Sequence, residues 1–208
     1  MTLLLALDLA AALVFAVTGA LVAARAQLDP IGFIFVACLT AVGGGTVRDL
    51  LLGREPVFWI ADPAPVAVAG TAAIAVFFTH HLVASRLAVI VWLDAVALSV
   101  AVAAGVGVAY GLDLPVWTQL VMGIVTGCFG GLMRDVVCNE VPLVLKAGEL
   151  YVTAALAGGA AAVLARELVG PGALALGACM LVTFALRAGS VRFGWRLPGW
   201  RERPPKPR

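Results

Sequence analysis

Two apolar stretches of the chain each carry a run of glycines followed by an arginine–aspartate pair. The first is Gly43-Gly44-Gly45-Thr46-Val47-Arg48-Asp49 and the second is Phe129-Gly130-Gly131-Leu132-Met133-Arg134-Asp135. Gly130 lies 86 positions after Gly44. The same offset carries Asp8 to Asp94, Gly19 to Gly105, Leu28 to Leu114, Thr40 to Thr126 and Pro56 to Pro142, with no gap. Several of these are Gly, Pro, Asp and Arg, the residues least exchangeable for generic apolar filler, so the pattern reads as an internal duplication.

What a duplicated unit of this kind can fold into follows from its surroundings. The 208 residues are 62% hydrophobic and 12% charged, against about 25% charged in a soluble domain. This is the composition of an integral membrane protein with no separate soluble domain. A spanning helix needs about 20 mostly apolar residues, and seven such stretches are present, over 3–24, 31–52, 63–83, 87–111, 115–137, 150–168 and 173–186. The expected fold is all-α, with a three-helix repeat at 3–84, a second at 87–168, a seventh helix at 173–186 and a basic tail at 187–208. Three spans per repeat is an odd number, so the second repeat enters from the opposite side and the two halves are inverted. Broken helices at matching positions of inverted repeats mark the central site of many membrane transport proteins.

Loop charges set the orientation. Arg25, Arg86, Lys146 and the tail cations lie on one side, and Arg54 and Arg166 on the other, where Glu55, Asp62 and Glu167 oppose them. The expectation is a cytoplasmic C-terminus and an N-terminus outside. Cys38, Cys128, Cys138 and Cys179 form no CxxC pair and read as small buried residues. Neither a disulfide nor a metal site is expected, and His80-His81 diverge on a helix.

The chemistry resides in the glycines and the charges they precede. A glycine costs about 1 kcal/mol relative to alanine inside a helix. Spans 2 and 5 are therefore expected to kink at Gly43, Gly44 and Gly45 and at Gly127, Gly130 and Gly131. Freed carbonyls are tolerable in hydrocarbon only against protein or a water-filled cavity. The alternative is close helix packing, which small residues also allow. Arg48, Asp49, Arg134 and Asp135 are costly at mid-membrane and normally face the bundle interior. Adjacent helical residues point about 100° apart, so each Arg is expected to find a partner on another helix, with Asp8 and Asp94 the candidates. The alternative is snorkelling to the interface. Thr18, Thr40, Thr46, Ser99 and Thr126 either line a pore or bond their own helix backbone. No P-loop, GxSxG, HExxH or dinucleotide fingerprint occurs. An enzyme, a cofactor and a nucleic-acid partner are not expected.

The block from Thr40 through Gly53, with Pro56-Val57-Phe58-Trp59-Ile60-Ala61-Asp62-Pro63 after it, resembles the prokaryotic branch of the trimeric intracellular cation (TRIC) channels. Bacterial members are also known as YadS-like or glycine-transporter-domain proteins. The resemblance spans both repeats. It implies a homotrimer in the bacterial inner membrane, surrounded by lipid, with one pore per protomer between kinked spans 2 and 5. It also implies passage of monovalent cations, mainly K+ with Na+. The glycines would carry the kinks, and the Arg-Asp pairs would line or adjoin the pore. The second copy departs from the first at Phe129 and Leu132, and the lysine-glutamate-valine motif of animal members is absent. The competing reading is a carrier for glycine or another small zwitterion, with Arg48 or Arg134 holding its carboxylate.

Overall fold

The structure, a computed structural model, describes residues 3–82 and 86–198. In chain order the helices are α1 (Leu3–Arg25), α2 (Pro30–Leu51), the short α3 (Phe58–Ala61), α4 (Ala64–Thr79), α5 (Arg86–Gly111), α6 (Val116–Val137), α7 (Val152–Val169) and α8 (Ala173–Phe193). A 3-10 turn, His80–Leu82, prolongs α4. Seven of these segments, all but α3, are long and apolar enough to cross a membrane. Helix is the natural outcome for such segments, because hydrocarbon offers backbone groups no partner outside the segment itself.

The helix ends repeat as the sequence does. Asp29 caps α2, its carboxylate accepting from Gly32 N at 2.7 Å, and Pro30 fills a first-turn position whose N–H would be orphaned. At its other end Gly53 turns left-handed (φ 62°) and Arg54 N donates to Asp49 O at 2.9 Å. The equivalent end of α6 has Asn139 at φ 55°, with Glu140 N donating to Asp135 O at 2.8 Å. α1 and α5 stop in the same way, at Gln27 (φ 56°) and Asp113 (φ 53°), again 86 positions apart. The duplication thus extends to backbone conformation at positions where side-chain identity is lost.

α1 and α5 form the buried centre and run antiparallel. Leu3 and Leu4 meet Val106 and Gly107 at one end, while Val22 and Arg25 meet Leu87 and Ile90 at the other. The inversion expected from the span count is therefore present in the packing. Each repeat folds its second helix onto its first through a glycine. A Cβ on Gly19 would lie 2.7 Å from Thr40 Oγ1, and one on Gly105 would press on Thr126 and the Met122 carbonyl. α4, α7 and α8 lie outside this centre and are less buried.

One boundary differs from the sequence reading. The seventh spanning helix does not stop near 186 but continues to Phe193, where Gly194 (φ 70°) ends it. Arg187, the first residue of the expected basic tail, is buried. Its Nη1 donates to Glu149 Oε2 at 3.0 Å, and its guanidinium lies 4.8 Å from the Tyr151 ring. A neutralised, covered arginine is no barrier to helix continuation, and its charge alone gave the wrong stop. Arg201, Arg203, Lys206 and Arg208 lie outside the described residues.

Candidate functional site

α2 and α6 cross at the centre of the molecule through Gly44 and Gly130. A Cβ on Gly44 would drive into the Thr126 carbonyl, and a Cβ on Gly130 into the Thr40 carbonyl. These contacts are each other's images under the 86-residue offset, so the crossing lies on the axis relating the two halves. Such close approach permits Cα–H···O contacts between the helices. The remaining glycines pack too. A Cβ on Gly43 would meet Met133 Sδ at 2.8 Å, on Gly45 the Phe58 ring at 2.6 Å, and on Gly127 Val102 at 2.7 Å. A Cβ on Gly131 would stand 3.3 Å from the Tyr151 hydroxyl and 3.4 Å from Asp94 Oδ1. Both helices run unbroken through their glycines.

The hydroxyls turn back on their own helices. Thr18, Thr40, Thr46, Ser99 and Thr126 donate to the carbonyls of Phe15, Val36, Val42, Val96 and Met122 at 2.6–2.8 Å. Two of them also accept: Thr46 from Trp59 Nε1 and Thr18 from Arg134 Nη1, both at 2.9 Å. A narrow cleft beside the crossing is lined by Asp8, Phe15, Thr40, Gly44, Phe58 and Thr126.

The charged residues form two clusters, one on each side of the crossing. In the first, Arg48 donates through Nε to Asp49 Oδ1 at 2.8 Å and through Nη1 to Asp8 Oδ1 at 3.0 Å. Asp49 also accepts from Arg54 Nη1 at 2.8 Å and from the Phe58 backbone N–H at 2.9 Å. In the second, Arg134 donates through Nε to Asp135 Oδ1 at 2.7 Å and through Nη1 to Asp94 Oδ1 at 3.1 Å. Asp135 accepts from the Leu143 backbone N–H at 3.0 Å. Asp8 and Asp94 thus stand where the sequence reading sought them.

One expectation needs correction, and one alternative falls. Each Arg does pair with the Asp that follows it, because the long guanidinium stem folds back across the angle separating them. Nor does either Arg snorkel: Arg48 and Arg134 are 0% and 1% exposed and rank among the largest fully buried side chains. Sequence reasoning also missed partners. Phe58 and Trp59 fold back onto the first cluster and its helix, with the Phe58 ring 5.4 Å from the Arg48 guanidinium and Trp59 Nε1 donating to Thr46 Oγ1. Their presence in the block that carries the family resemblance was the available signal. For Tyr151 beside Gly131 there was none.

Comparisons with known proteins bear on the repeat and the fold. The family model described as Glycine transporter matches the chain twice, over residues 5–81 and 91–167, again with an offset of 86. The UPF0126 inner membrane protein YadS of Escherichia coli (strain K12) is 36% identical over 199 residues, covering 92% of this chain and 93% of that protein. A UPF0126 membrane protein of Vibrio cholerae is 36% identical over 200 residues, covering 95% of this chain and 82% of that one. Among solved structures, the TRIC trimeric intracellular cation channel orthologue from Rhodobacter sphaeroides superposes with a TM-score of 0.89. It is 41% identical and covers 93% of this chain and 100% of its own. Repeat and fold converge, and the chain belongs to the prokaryotic TRIC family, which the Glycine transporter model also describes.

Proposed function

We propose that this chain is a channel for monovalent cations, mainly potassium, with one pathway per protomer of a homotrimer, running between α2 and α6. The observation that carries this reading is the neutralisation of the interior arginines. Two carboxylates and two guanidiniums balance in the first cluster, and two carboxylates outnumber one guanidinium in the second. A cation therefore meets a neutral or negative interior rather than a bare positive charge, and backbone carbonyls at the crossing add partial negative charge. The likeness to a solved TRIC cation channel at 41% identity supports the same assignment. α2 and α6 touch at Gly44 and Gly130, so conduction requires them to part there. Gly43, Gly45, Gly127 and Gly131 are the positions at which the helices would bend to do so. The side bearing Arg25 and Lys146 faces the cytoplasm, with the N-terminus outside, in the bacterial inner membrane.

The second reading is a carrier for glycine. It rests on the description of the family model and on Arg48 Nη2, which is buried and has no hydrogen-bond partner among the described residues. That nitrogen is the donor a substrate carboxylate would take. Single-channel recording of the purified protein in planar bilayers separates the readings. Unitary potassium currents are expected; saturable glycine uptake without them establishes the carrier instead. A reporter fused to the C-terminus should be accessible only from the cytoplasm.

A further inference from the structure

A roomy cavity lies away from the repeat crossing. It has a volume of about 310 Å³, within the roughly 300–1,000 Å³ of small-molecule sites and about twice the 150 Å³ that accommodates benzene in an engineered protein core. Leu4, Val106, Gly107, Ala162, Ala175 and Leu176 line it, so its wall is hydrocarbon. Gly111, Pro171 and Gly172 also border it. α5 and α7 end here, and α1 and α8 begin here, so the mouth opens at one boundary of the membrane-spanning layer.

Among the described residues a single cation stands at this mouth, and three elements hold it in place. Arg166, from α7, lies with its guanidinium 4.5 Å from the Tyr110 ring of α5. Its Nη1 donates to Gln119 Oε1 of α6 at 3.0 Å. Gln119 is 3% exposed and is itself fixed, its Nε2 donating to the Leu114 carbonyl at 2.7 Å. The other bond of the guanidinium, from Nη2 to Glu167 Oε1 at 3.2 Å, goes to a side chain that is 68% exposed. Exposed pairs of this kind are weak and easily exchanged. The result is an arginine oriented by a buried amide and an aromatic face, over an apolar chamber, with its one charged partner readily displaced.

An apolar chamber with an oriented guanidinium at its rim is complementary to an amphiphile with an anionic head and a hydrocarbon tail. We infer that this cavity binds an anionic phospholipid of the surrounding membrane, one acyl chain inside and the phosphate on Arg166. The inference does not depend on the pore reading, since no residue of the two charge clusters lines the cavity.

The test is native mass spectrometry of the purified protein in mild detergent, offered phosphatidylglycerol or phosphatidylcholine. One arginine at a membrane surface favours an anionic lipid by about fivefold, so about that excess of phosphatidylglycerol should be retained. Arg166→Gln should bring the two lipids to parity, and Arg166→Lys should keep most of the preference. Gly107→Phe should abolish retention of both lipids, because a Cβ at Gly107 points at Leu4 and Leu176, two residues of the chamber wall, and a ring there fills the chamber; Gly111→Phe, at the border, is the milder second variant. Melting of each variant in lipid-free detergent confirms that it is folded. Equal retention of the two lipids by the native protein, an unchanged preference in Arg166→Gln or full retention in Gly107→Phe overturns the inference. So does a native protein that retains no lipid because a second copy of the chain covers the cavity.

Discussion

The two charge clusters are built from the same motif and solve the same problem differently. Around Arg48, the second guanidinium of Arg54 reaches in from a partly exposed position and balances Asp49. Asp8, with 14% of its side chain exposed, keeps contact with the outside. Around Arg134, the position equivalent to Arg54 is Glu140, which turns outward to Arg25 at 3.4 Å. Thr18 supplies a hydroxyl to Arg134 instead, and Asp94 Oδ2 is left buried without a hydrogen-bond partner among the described residues. One repeat thus carries a charge-balanced cluster with solvent access, and the other a sealed cluster with an excess carboxylate. A duplicated motif conserves the geometry of its own helix, while the neighbours that complete it are free to diverge.

The comparison predicts a graded set of effects. The largest is at Arg134. Removing one partner of a buried ion pair costs about 3–5 kcal/mol, and Arg134→Ala strands two enclosed carboxylates. It should lower the melting temperature in detergent more than Arg48→Ala does, because Asp8 can rehydrate. Equal losses would erase the distinction between the clusters. A partial recovery of stability in Arg134→Ala with Asp94→Asn would sharpen it.

Next comes Thr18→Val. A hydrogen bond to a charged group is worth about 1.5–3 kcal/mol, and the loss should vanish in an Arg134→Ala background if it acts through that contact. A double-mutant cycle on thermal stability measures the coupling. Comparable in size is Gly44→Ala, whose Cβ meets backbone rather than a yielding side chain; overpacking of this kind costs about 1–3 kcal/mol. Gly130→Ala should match it, because the crossing is symmetric. Gly70→Ala and Gly177→Ala, where a Cβ meets nothing within 4 Å, should be neutral or stabilising by up to about 1 kcal/mol. If all four behaved alike, the crossing would not be a close contact.

The smallest effect on stability is expected at Arg54→Gln. An exposed pairing contributes about 1 kcal/mol or less, and Arg54 is 37% exposed at its side chain. Its value lies in conversion: the first cluster would acquire the excess carboxylate of the second. Potassium conductance at low ionic strength should rise, and unchanged currents would place the first cluster outside the pathway.

Much of this organisation was legible from the sequence, for a reason specific to hydrocarbon. Few residues other than apolar ones are tolerated there, so Asp8, Asp94, Arg48 and Arg134 stand out and have few candidates to pair with. Span count, inversion and the partnership of each first-helix Asp with an Arg follow from that scarcity. The limits of α8 were not legible, because Arg187 reads as a terminator until Glu149 and Tyr151 are seen to cover it. The glycines were legible as special but not in their role, since a bend and a close contact require the same residue.

An inverted pair of three-helix repeats with charges at matching positions follows from chain pattern alone. Segment hydropathy and an ungapped offset are properties of the chain, and no partner has to be known to read them. That Gly44 and Gly130 meet the Thr126 and Thr40 carbonyls, that Phe58 covers one arginine and that Thr18 serves the other emerges only once the helices pack. Those contacts join residues far apart in the chain, and their geometry is set by how two apolar surfaces settle against each other, which local pattern does not encode.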